Sequence, residues 1–325
     1  MSTSYSPRLI QFGPVKVPFP SKDLAVLEDC NGLLHDVDAL HKEMSEKGYL
    51  FIRGFHNRQE VLEARSAVLA FMEEYGDALS QAHPVEEGVL REGCGVGCVP
   101  FMEGHNTISH KDSILSVIEG HRPYNFFREY FGSEAVTFDY KWLRAMPRDG
   151  FTGAHVDSVY MSRGSEALLT MWTPFGDVDI EMGVLAVCEA SHRLPEFSHF
   201  QATYGRMDAE KVGLRGTGWF TEDPFEITRK FGGQWKTTDF KAGDALIFNL
   251  RTVHMSTTNT TNFARISCDT RWQPACEEMD PRFCKDTQQA STAKFGLLSK
   301  LEDGLANTDK PAFVTIDKLK EEWRI

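Results

Sequence analysis

The second half of the chain is a succession of short apolar segments separated by polar turns, and this pattern restricts the fold more than any other feature. Segments of this kind, rich in branched and aromatic residues and bounded by Gly, Pro, Asn or Asp, are typical of strands in a sandwich or barrel. At least six are predicted as strands: Val136–Met146, the segment from His155 to Asp157, Ala167–Pro174, Gly183–Cys188, Ala245–His254 and Phe263–Gln273. The pattern predicts a jelly-roll sandwich of the cupin type.

The first half is predicted to be mainly helical. Asp36–Lys47 and Gln59–Tyr75 carry apolar residues at helical spacing and are each followed by a glycine. Ser113–Phe131 shows the same periodicity, and Pro123 is expected to divide this third helix. Between the first two helices, Tyr49–Phe55 reads as a buried strand.

Three other stretches lack a clear periodicity. Residues 1–25 contain four prolines and are predicted to be irregular. Residues 83–112 are rich in glycine and are predicted to form a long loop, which in compact domains often covers an active site. A weak helix is expected near residues 292–305.

No internal repeat, low-complexity tract or linker is visible, so we predict a single domain over residues 1–325. Its class is α+β, with flanking N-terminal helices and a jelly-roll core. Residues 36–135 are expected to supply mainly helices and a loop, and residues 136–275 the core.

The composition excludes several kinds of partner. The 325 residues carry 47 acidic and 35 basic side chains, a formal net charge of −12. Nucleic acids and anionic membranes require a basic face, so neither is predicted as a partner. No apolar run reaches the roughly 18 residues that span a bilayer. A small molecule is the expected partner, and the sequence does not indicate an oligomeric state.

The seven cysteines indicate a reducing compartment. Their number is odd and no secretory leader is recognisable, so reduced thiols and a cytoplasmic location are predicted. Cys94 and Cys98 lack a second Cys or His pair at zinc-finger distance, and we expect both to be free thiols.

The residues that carry chemistry begin with His155 and Asp157. Two residues apart on a strand, they would point to the same side with Cα atoms about 7 Å apart. Together with His254, at the end of another predicted strand, they have the composition of the two-histidine-one-carboxylate site of non-haem iron(II) oxygenases. A His-x-Asp pair is also common as plain hydrogen-bonded structure, so the set needs further support.

Arg265 supplies that support. It follows His254 by eleven residues across a polar turn. A chain reversal near Asn259 would bring both residues to the same end of two neighbouring strands. A guanidinium can bind a carboxylate through two nitrogens, as the cosubstrate 2-oxoglutarate would require. Ser256 could add a hydroxyl to the same carboxylate.

At this point the sequence resembles the phytanoyl-CoA dioxygenase family of iron(II)- and 2-oxoglutarate-dependent oxygenases. The resemblance covers residues 36 to 275 and is carried by these motifs: Glu46 to Phe55, Gly153-x-His155-x-Asp157, Glu181 to Leu185, Ser191-His192-Arg193, Gly243-Asp244, His254-x-Ser256 and Arg265.

The resemblance implies a double-stranded β-helix core, with His155, Asp157 and His254 as iron(II) ligands. It also implies that Arg265 and Ser256 hold 2-oxoglutarate, which reacts with O2 to give succinate while a small organic molecule is hydroxylated. Halogenases have a small residue in place of Asp157, so oxygenation is expected here. Trp172 either flanks the cosubstrate or is part of the sandwich core.

Other residues have open interpretations. His105 and His110 are spaced poorly for joint ligation and are read as loop histidines. His192 is not counted as a metal ligand, although it could still orient a ligand through a hydrogen bond. Lys141 and Arg144 can face the site, but surface salt bridges are the simpler reading. The residues considered for a substrate pocket are Tyr160, Arg163, Trp219 and Trp235, with Arg163 otherwise a solvated turn arginine.

Two alternatives remain open at this stage. A metal-dependent cupin-type isomerase or hydrolase would need the two histidines and the aspartate but not Arg265. A binding module that has kept the fold without catalysis would need none of the four residues. The sequence does not identify the substrate in any of these cases.

Overall fold

The N-terminal segment forms a β-hairpin, contrary to the irregular chain expected from its prolines. In the computed structural model, which describes residues 8–95, 97–284 and 314–325, β1 (Arg8–Phe12) pairs with β2 (Val15–Phe19). Pro18 is tolerated because this hairpin is a two-stranded sheet of its own and so has edges on both sides. The helix expected near residues 292–305 lies outside the described residues.

The helices of the first half agree with their sequence signals. Asp36 caps the first helix by accepting a hydrogen bond from the Ala39 amide, and Gly48 ends it with a positive φ of 84°. The helices are α1 (Val37–Lys47), α2 (Arg58–Tyr75), α3 (Asp112–Ile118), α4 (His121–Phe131), α5 (Ser198–Ala202), α6 (Pro224–Phe231) and α7 (Ile316–Trp323). Within the described ranges, none of them is long and apolar enough to cross a membrane.

The predicted third helix is two helices, and Pro123 is not the residue that separates them. α3 ends at Ile118, and Gly120 precedes α4 in an extended conformation. Pro123 lies in the first turn of α4, where its missing N–H would have no partner within the helix. The prediction was wrong about the cause of the break because proline is compatible with that turn.

The strands form two main sheets. They are β3 (Leu24–Val26), β4 (Tyr49–Ile52), β5 (Ala135–Thr137), β6 (Trp142–Met146), β7 (Leu169–Pro174), β8 (Leu185–Glu189), β9 (Gln234–Thr237), β10 (Ala245–Asn249), β11 (His254–Ser256) and β12 (Arg265–Pro274). The six-stranded sheet has the order β4-β10-β7-β12-β5, with β6 also paired to β12, and the four-stranded sheet has the order β11-β8-β9-β3. All neighbours are antiparallel except β3 and β9.

The segment Ala245–His254 is not one strand. β10 belongs to the six-stranded sheet, whereas β11 belongs to the four-stranded sheet, and residues 250–253 connect them. His254 therefore begins a strand instead of ending one. Both sheets contribute to one core: Trp172 and Leu246 of the six-stranded sheet, Val187 of the four-stranded sheet and Phe12 of the hairpin belong to the same buried cluster.

The loop of residues 83–112 is largely irregular, as expected, and described except for residue 96. It is fastened to the six-stranded sheet at Gly104, whose amide lies 2.7 Å from the Lys141 carbonyl oxygen. Cys94 and Cys98 are joined in a disulfide, so the expectation of two free thiols was wrong. Their four-residue spacing is short enough for the loop to bring the two sulfurs together.

Candidate metal centre and cosubstrate site

Three side chains that the sequence pattern singled out converge on one buried position. The backbones of His155 and His254 exchange two hydrogen bonds, of 3.0 and 2.9 Å. Asp157 begins a short 3-10 turn, so the predicted strand does not extend through it. Its Oδ1 atom lies 3.8 Å from Nε2 of His155 and 3.7 Å from Nε2 of His254. All three side chains are buried.

Backbone carbonyl groups fix the orientation of both imidazoles. Nδ1 of His155 lies 2.8 Å from the Gly153 carbonyl oxygen, and Nδ1 of His254 lies 3.0 Å from the Thr252 carbonyl oxygen. A carbonyl oxygen only accepts, so each Nδ1 must donate. In the neutral ring the lone pair is then on Nε2, which is the atom that faces Asp157.

The second oxygen of Asp157 is engaged on the other side. Thr170 donates its hydroxyl proton to Oδ2, and Nη2 of Arg271 lies 3.2 Å from the same atom. Oδ1 is thus the oxygen left to face the two histidines. The carboxylate is held in one orientation by partners from the six-stranded sheet.

The charge states of these groups suit cation binding. Burial lowers the pKa of His155 to about 3 and also lowers the pKa of His254, so both rings are neutral at physiological pH. Burial acts to raise the pKa of Asp157, but the Arg271 charge, the two histidines and the Thr170 hydroxyl outweigh it and lower that pKa. The group therefore offers two neutral nitrogens and one carboxylate oxygen.

This donor set fits iron(II). Two imidazoles and one carboxylate are the protein ligands of non-haem iron(II) sites that leave coordination positions open. Two inward lone pairs and an inward carboxylate oxygen repel one another unless a cation lies between them. The orientation of each ligand by a second partner is also typical of metal sites.

Arg265 begins β12 and is buried with incomplete pairing. Its Nη1 donates to the Ser267 hydroxyl, and its Nε has no partner among the described residues. Burial lowers the pKa of Arg265 to about 10, which reflects the cost of removing a charge from water. Asp269 is close enough to act on its charge, but no carboxylate of the described residues forms an ion pair with Arg265. A buried guanidinium in this situation fits an anionic ligand, because pairing would offset that cost.

Ser256 and Trp172 are also in the interior. The Ser256 hydroxyl oxygen accepts a hydrogen bond of 2.8 Å from the Thr152 amide, and its own proton remains available to a ligand. The Arg265 guanidinium lies 5.9 Å from the centre of a Trp172 ring, and Phe240 packs at 4.8 Å from that side chain. Trp172 thus contacts the candidate cosubstrate residue and the core, consistent with both interpretations of the sequence.

The two basic residues that precede the motif are not simple surface ion pairs. Lys141 is fully buried, and its ammonium group contacts Glu119 and the Phe138 carbonyl oxygen. Arg144 is half-buried, and it bonds Glu103 at 2.6 Å and Asp269 at 2.9 Å. Arg144 therefore ties the loop of residues 83–112 to β12.

Of the residues considered for a substrate pocket, two lie near the candidate metal position. The Tyr160 ring is 5.6 Å from the His155 ring, and Trp219 lies close to Gly153.

The remaining candidates are used elsewhere in the fold. Arg163 bonds both carboxylate oxygens of Asp208, at 2.6 and 3.0 Å, so it is ion-paired. Trp235 is fully buried in the core and donates to the Pro224 carbonyl oxygen. His192 contacts the Ser45 carbonyl oxygen, which gives no support to a role in orienting a metal ligand.

Sequence reasoning missed Arg271 and Thr170, which contact Asp157 directly. The signal was present in the alternation of β12, where Arg265, Ser267, Asp269 and Arg271 are spaced by two and so share one face. Reading that strand from Arg265 onward would have placed Arg271 on the inner side. Nothing in the sequence indicates which carboxylate it would contact.

Comparison with known proteins agrees with this arrangement. A family model described as phytanoyl-CoA dioxygenase matches residues 44–267, which is more than half of the chain. The chain belongs to the phytanoyl-CoA dioxygenase family. It is accordingly an iron(II)- and 2-oxoglutarate-dependent dioxygenase that uses O2, as the sequence predicted. A cupin-type isomerase or hydrolase that does not use 2-oxoglutarate is not favoured.

Individual proteins similar to this family member include a curated enzyme and solved structures. A 1-deoxypentalenic acid 11-beta-hydroxylase of Streptomyces exfoliatus is 26% identical over 289 residues, which are 84% of this chain and 94% of the hydroxylase. EctD from S. alaskensis, solved with 2-oxoglutarate and 5-hydroxyectoine, is 15% identical with a TM-score of 0.50, over 87% of this chain and 89% of EctD.

A further solved structure is the epimerase SnoN in complex with Fe3+, alpha ketoglutarate and nogalamycin RO. It is 19% identical with a TM-score of 0.50, over 76% of this chain and 87% of SnoN. These two structures show that the mixed helix and sheet fold of this chain is shared with EctD and SnoN.

Proposed function

We propose that His155, Asp157 and His254 bind the iron and that Arg265, with Ser256 and Trp172, binds 2-oxoglutarate. The observation that carries this proposal is the convergence of two Nε2 atoms and one Oδ1 atom on a buried position, while each side chain's other polar atom is engaged elsewhere. The incompletely paired guanidinium of Arg265 supports the second half of the proposal.

The protein's residues have distinct tasks in the proposed reaction. When bound, iron(II) with 2-oxoglutarate and O2 supplies the oxidation of a C–H bond, with release of succinate and CO2. The two imidazoles and Asp157 would hold the metal and leave coordination positions for other ligands, and Arg265 would bind the distal carboxylate of 2-oxoglutarate. The buried surroundings exclude bulk water from the reacting groups.

The proposed reaction is hydroxylation of a small organic molecule. The curated relative is a hydroxylase of 1-deoxypentalenic acid, which is a small molecule. The carboxylate of Asp157 occupies the position where a halogenase would need space for a halide, so we propose oxygenation and not halogenation. Tyr160 and Trp219 are near enough to contribute to the pocket.

We further propose that residues 1–325 form one domain with a jelly-roll core of the double-stranded β-helix type. Residues 136–275 would supply this core and residues 36–135 its helical support and loop. The succession of strands supports this, because β7, β10 and β12 belong to one sheet and β8, β9 and β11 to the other. The cytoplasmic location stays a prediction, and the disulfide between Cys94 and Cys98 removes part of its basis.

The function can be tested by binding experiments without a known substrate. Anaerobic protein with iron(II) should show the weak metal-to-ligand charge-transfer band when 2-oxoglutarate is added. Asp157→Ala should lose iron affinity, whereas Arg265→Ala should weaken 2-oxoglutarate by about 30-fold or more and leave iron affinity nearly unchanged, since a buried charge pair is lost. Wild-type protein that binds iron but neither shows the band nor binds 2-oxoglutarate by calorimetry would refute the assignment.

A further inference from the structure

Arg271 and Thr170 form a cross-strand pair, and both contact the same oxygen of Asp157. Their Cα atoms are direct partners in the antiparallel pairing of β12 with β7. From these adjacent positions, the Thr170 hydroxyl donates to Oδ2 of Asp157, and Nη2 of Arg271 lies 3.2 Å from the same oxygen. The register of two central strands thus determines where both donors meet the carboxylate.

Arg271 is itself held from several sides. Its guanidinium carbon lies 4.4 Å from the centre of a Trp142 ring, and its Nε is 3.1 Å from the Met161 sulfur. The side chain is only 3% exposed. An arginine restrained by an aromatic face, a thioether and a carboxylate has little freedom to change its position.

A carboxylate with two free oxygens can bind a cation through one or both of them. In Asp157, Oδ2 is ion-paired with Nη2 of Arg271 and accepts a hydrogen bond from the Thr170 hydroxyl, so binding a metal through Oδ2 would require giving up both contacts. Oδ1 has neither of these partners and faces the two histidines at 3.8 and 3.7 Å. The two oxygens are therefore not equivalent.

We propose that Arg271 and Thr170 act as positioning residues that restrict Asp157 to binding the metal through Oδ1 alone. This inference rests on the proposed function, because it assumes that Asp157 is a metal ligand. Restricting the carboxylate to one oxygen preserves the open positions that 2-oxoglutarate and O2 require. Without the pair, Asp157 can rotate and occupy one of those positions.

The test uses Co(II) as a spectroscopic substitute for iron(II) in the full-length protein. Arg271→Met keeps an apolar chain against Trp142 but removes the charge and the donors, and Thr170→Val keeps the shape but removes the hydroxyl. We expect a 10- to 100-fold loss of Co(II) affinity in Arg271→Met, about the range for such partners of ligands, and a smaller loss in Thr170→Val. The visible absorption of bound Co(II) should change in both, because the coordination number changes.

Two controls separate positioning from a general loss of stability. Arg53→Met removes another arginine that is ion-paired with a buried carboxylate, Asp244 at 2.6 Å, and that lies over an aromatic ring, Phe51, without touching Asp157. It should lower the melting temperature but leave the Co(II) affinity and spectrum unchanged. Arg271→Lys restores a charge at the same place and should recover part of the affinity.

Unchanged Co(II) affinity and an unchanged spectrum in both Arg271→Met and Thr170→Val would overturn the proposal. If Arg271→Met does not fold, the spectrum of Thr170→Val decides in the same way. A different result, in which His254→Ala binds Co(II) as well as wild type does, would refute the proposed metal site itself.

Discussion

Within the described residues, two groups of two histidines and one aspartate lie close enough to hold a cation, yet their chemistry differs. The buried group is His155, Asp157 and His254, and the loop group is His105, His110 and Asp139. The sequence spacing argues against joint ligation by His105 and His110, yet both approach Asp139, and their ring centres are 6.1 Å apart. Both remain loop histidines, as predicted.

The loop group uses its polar atoms on one another and on the backbone. Nδ1 of His105 lies 2.5 Å from a carboxylate oxygen of Asp139. His110 faces the Asp139 carbonyl oxygen with Nε2 at 3.0 Å and the Asn106 carbonyl oxygen with Nδ1 at 3.2 Å. A neutral imidazole has one N–H: with that proton on Nε2, His110 donates to the Asp139 carbonyl oxygen, and the lone pair on Nδ1 faces the Ser109 hydroxyl at 3.0 Å and not an open position.

From this comparison we infer that composition and proximity are not sufficient for a metal site. In the buried group a backbone carbonyl engages Nδ1 of each histidine and so leaves Nε2 free, whereas in the loop group both nitrogens of His110 face neighbouring polar groups of the loop. The loop side chains are also 25–35% exposed, so water can solvate them without a metal. What distinguishes the buried group is the set of partners behind the ligand atoms.

The largest expected effect comes from removing one histidine from each group. His254→Ala should lower iron(II) affinity by 100-fold or more, on the order of 3 kcal/mol, because one of three ligands is lost. His110→Ala is the matched change in the loop group and should leave iron affinity within about 2-fold of wild type. Anaerobic calorimetry measures both, and equal losses would break the distinction drawn between the groups.

The buried group should also make the metal-free protein sensitive to acid. The pKa of His155 is lowered to about 3 by burial, whereas an unfolded histidine titrates near 6.5. Between these two pH values, the unfolded state therefore binds a proton at His155 that the folded state does not bind. The free energy of unfolding falls as the pH drops through that range. The slope should approach about 1.4 kcal/mol per pH unit for this residue.

Denaturant unfolding of metal-free protein between pH 7 and pH 4 measures this slope. His155→Gln should reduce it, because the amide does not titrate, and His105→Gln serves as the exposed control. An identical slope in wild type and His155→Gln would contradict the role of burial.

The sequence singled out the three side chains that meet in the buried group but not the partners that orient them. His155, Asp157, His254 and Arg265 have a characteristic spacing and matched a family pattern. Arg271 is far from Asp157 along the chain, and the register of β12 with β7 places it beside Thr170, at the same carboxylate oxygen. Pairing register depends on the whole sheet and is not encoded in local periodicity.

Secondary structure was predicted correctly where the sequence signals agreed, and it was predicted wrongly where two signals competed. α1 has a cap, an apolar stripe and a terminal glycine that agree. In residues 8–19 the prolines led to a prediction of irregular chain, although apolar residues alternate with other residues in both strands. The alternating residues are all buried: Ile10 and Phe12 in β1, and Val17 and Phe19 in β2. The change of sheet between β10 and β11 could not be read from the sequence because Leu250 and Val253 continue the apolar content of β10 through the connection.

A smaller effect is expected from Gly153, whose carbonyl orients His155. A Cβ at this position would lie 2.6 Å from the Trp219 ring and 2.8 Å from the Thr221 carbonyl oxygen. Gly153→Ala should therefore displace the segment that pairs with Ala154, at a cost of about 1–3 kcal/mol in stability, and should weaken iron binding. Gly32→Ala is the control, since no heavy atom lies within 4 Å of its added Cβ.

Thermal unfolding and iron titration of both glycine variants decide this case. If Gly153→Ala retains wild-type stability and iron affinity, Trp219 can move aside without disturbing His155, and the contact between them has no structural role.

The smallest effect should follow from disrupting the loop group through Asp139. Asp139→Asn weakens the contact with His105, and because the pair is partly exposed the loss of stability should be below about 1 kcal/mol. Wild-type protein should bind one equivalent of Co(II), and Asp139→Asn should bind one equally well. Two equivalents in wild type, falling to one in Asp139→Asn, would show that the loop group binds a cation after all. That outcome would mean that its histidines release their carbonyl partners at low energetic cost, and that convergence alone is sufficient for a metal site on an exposed loop.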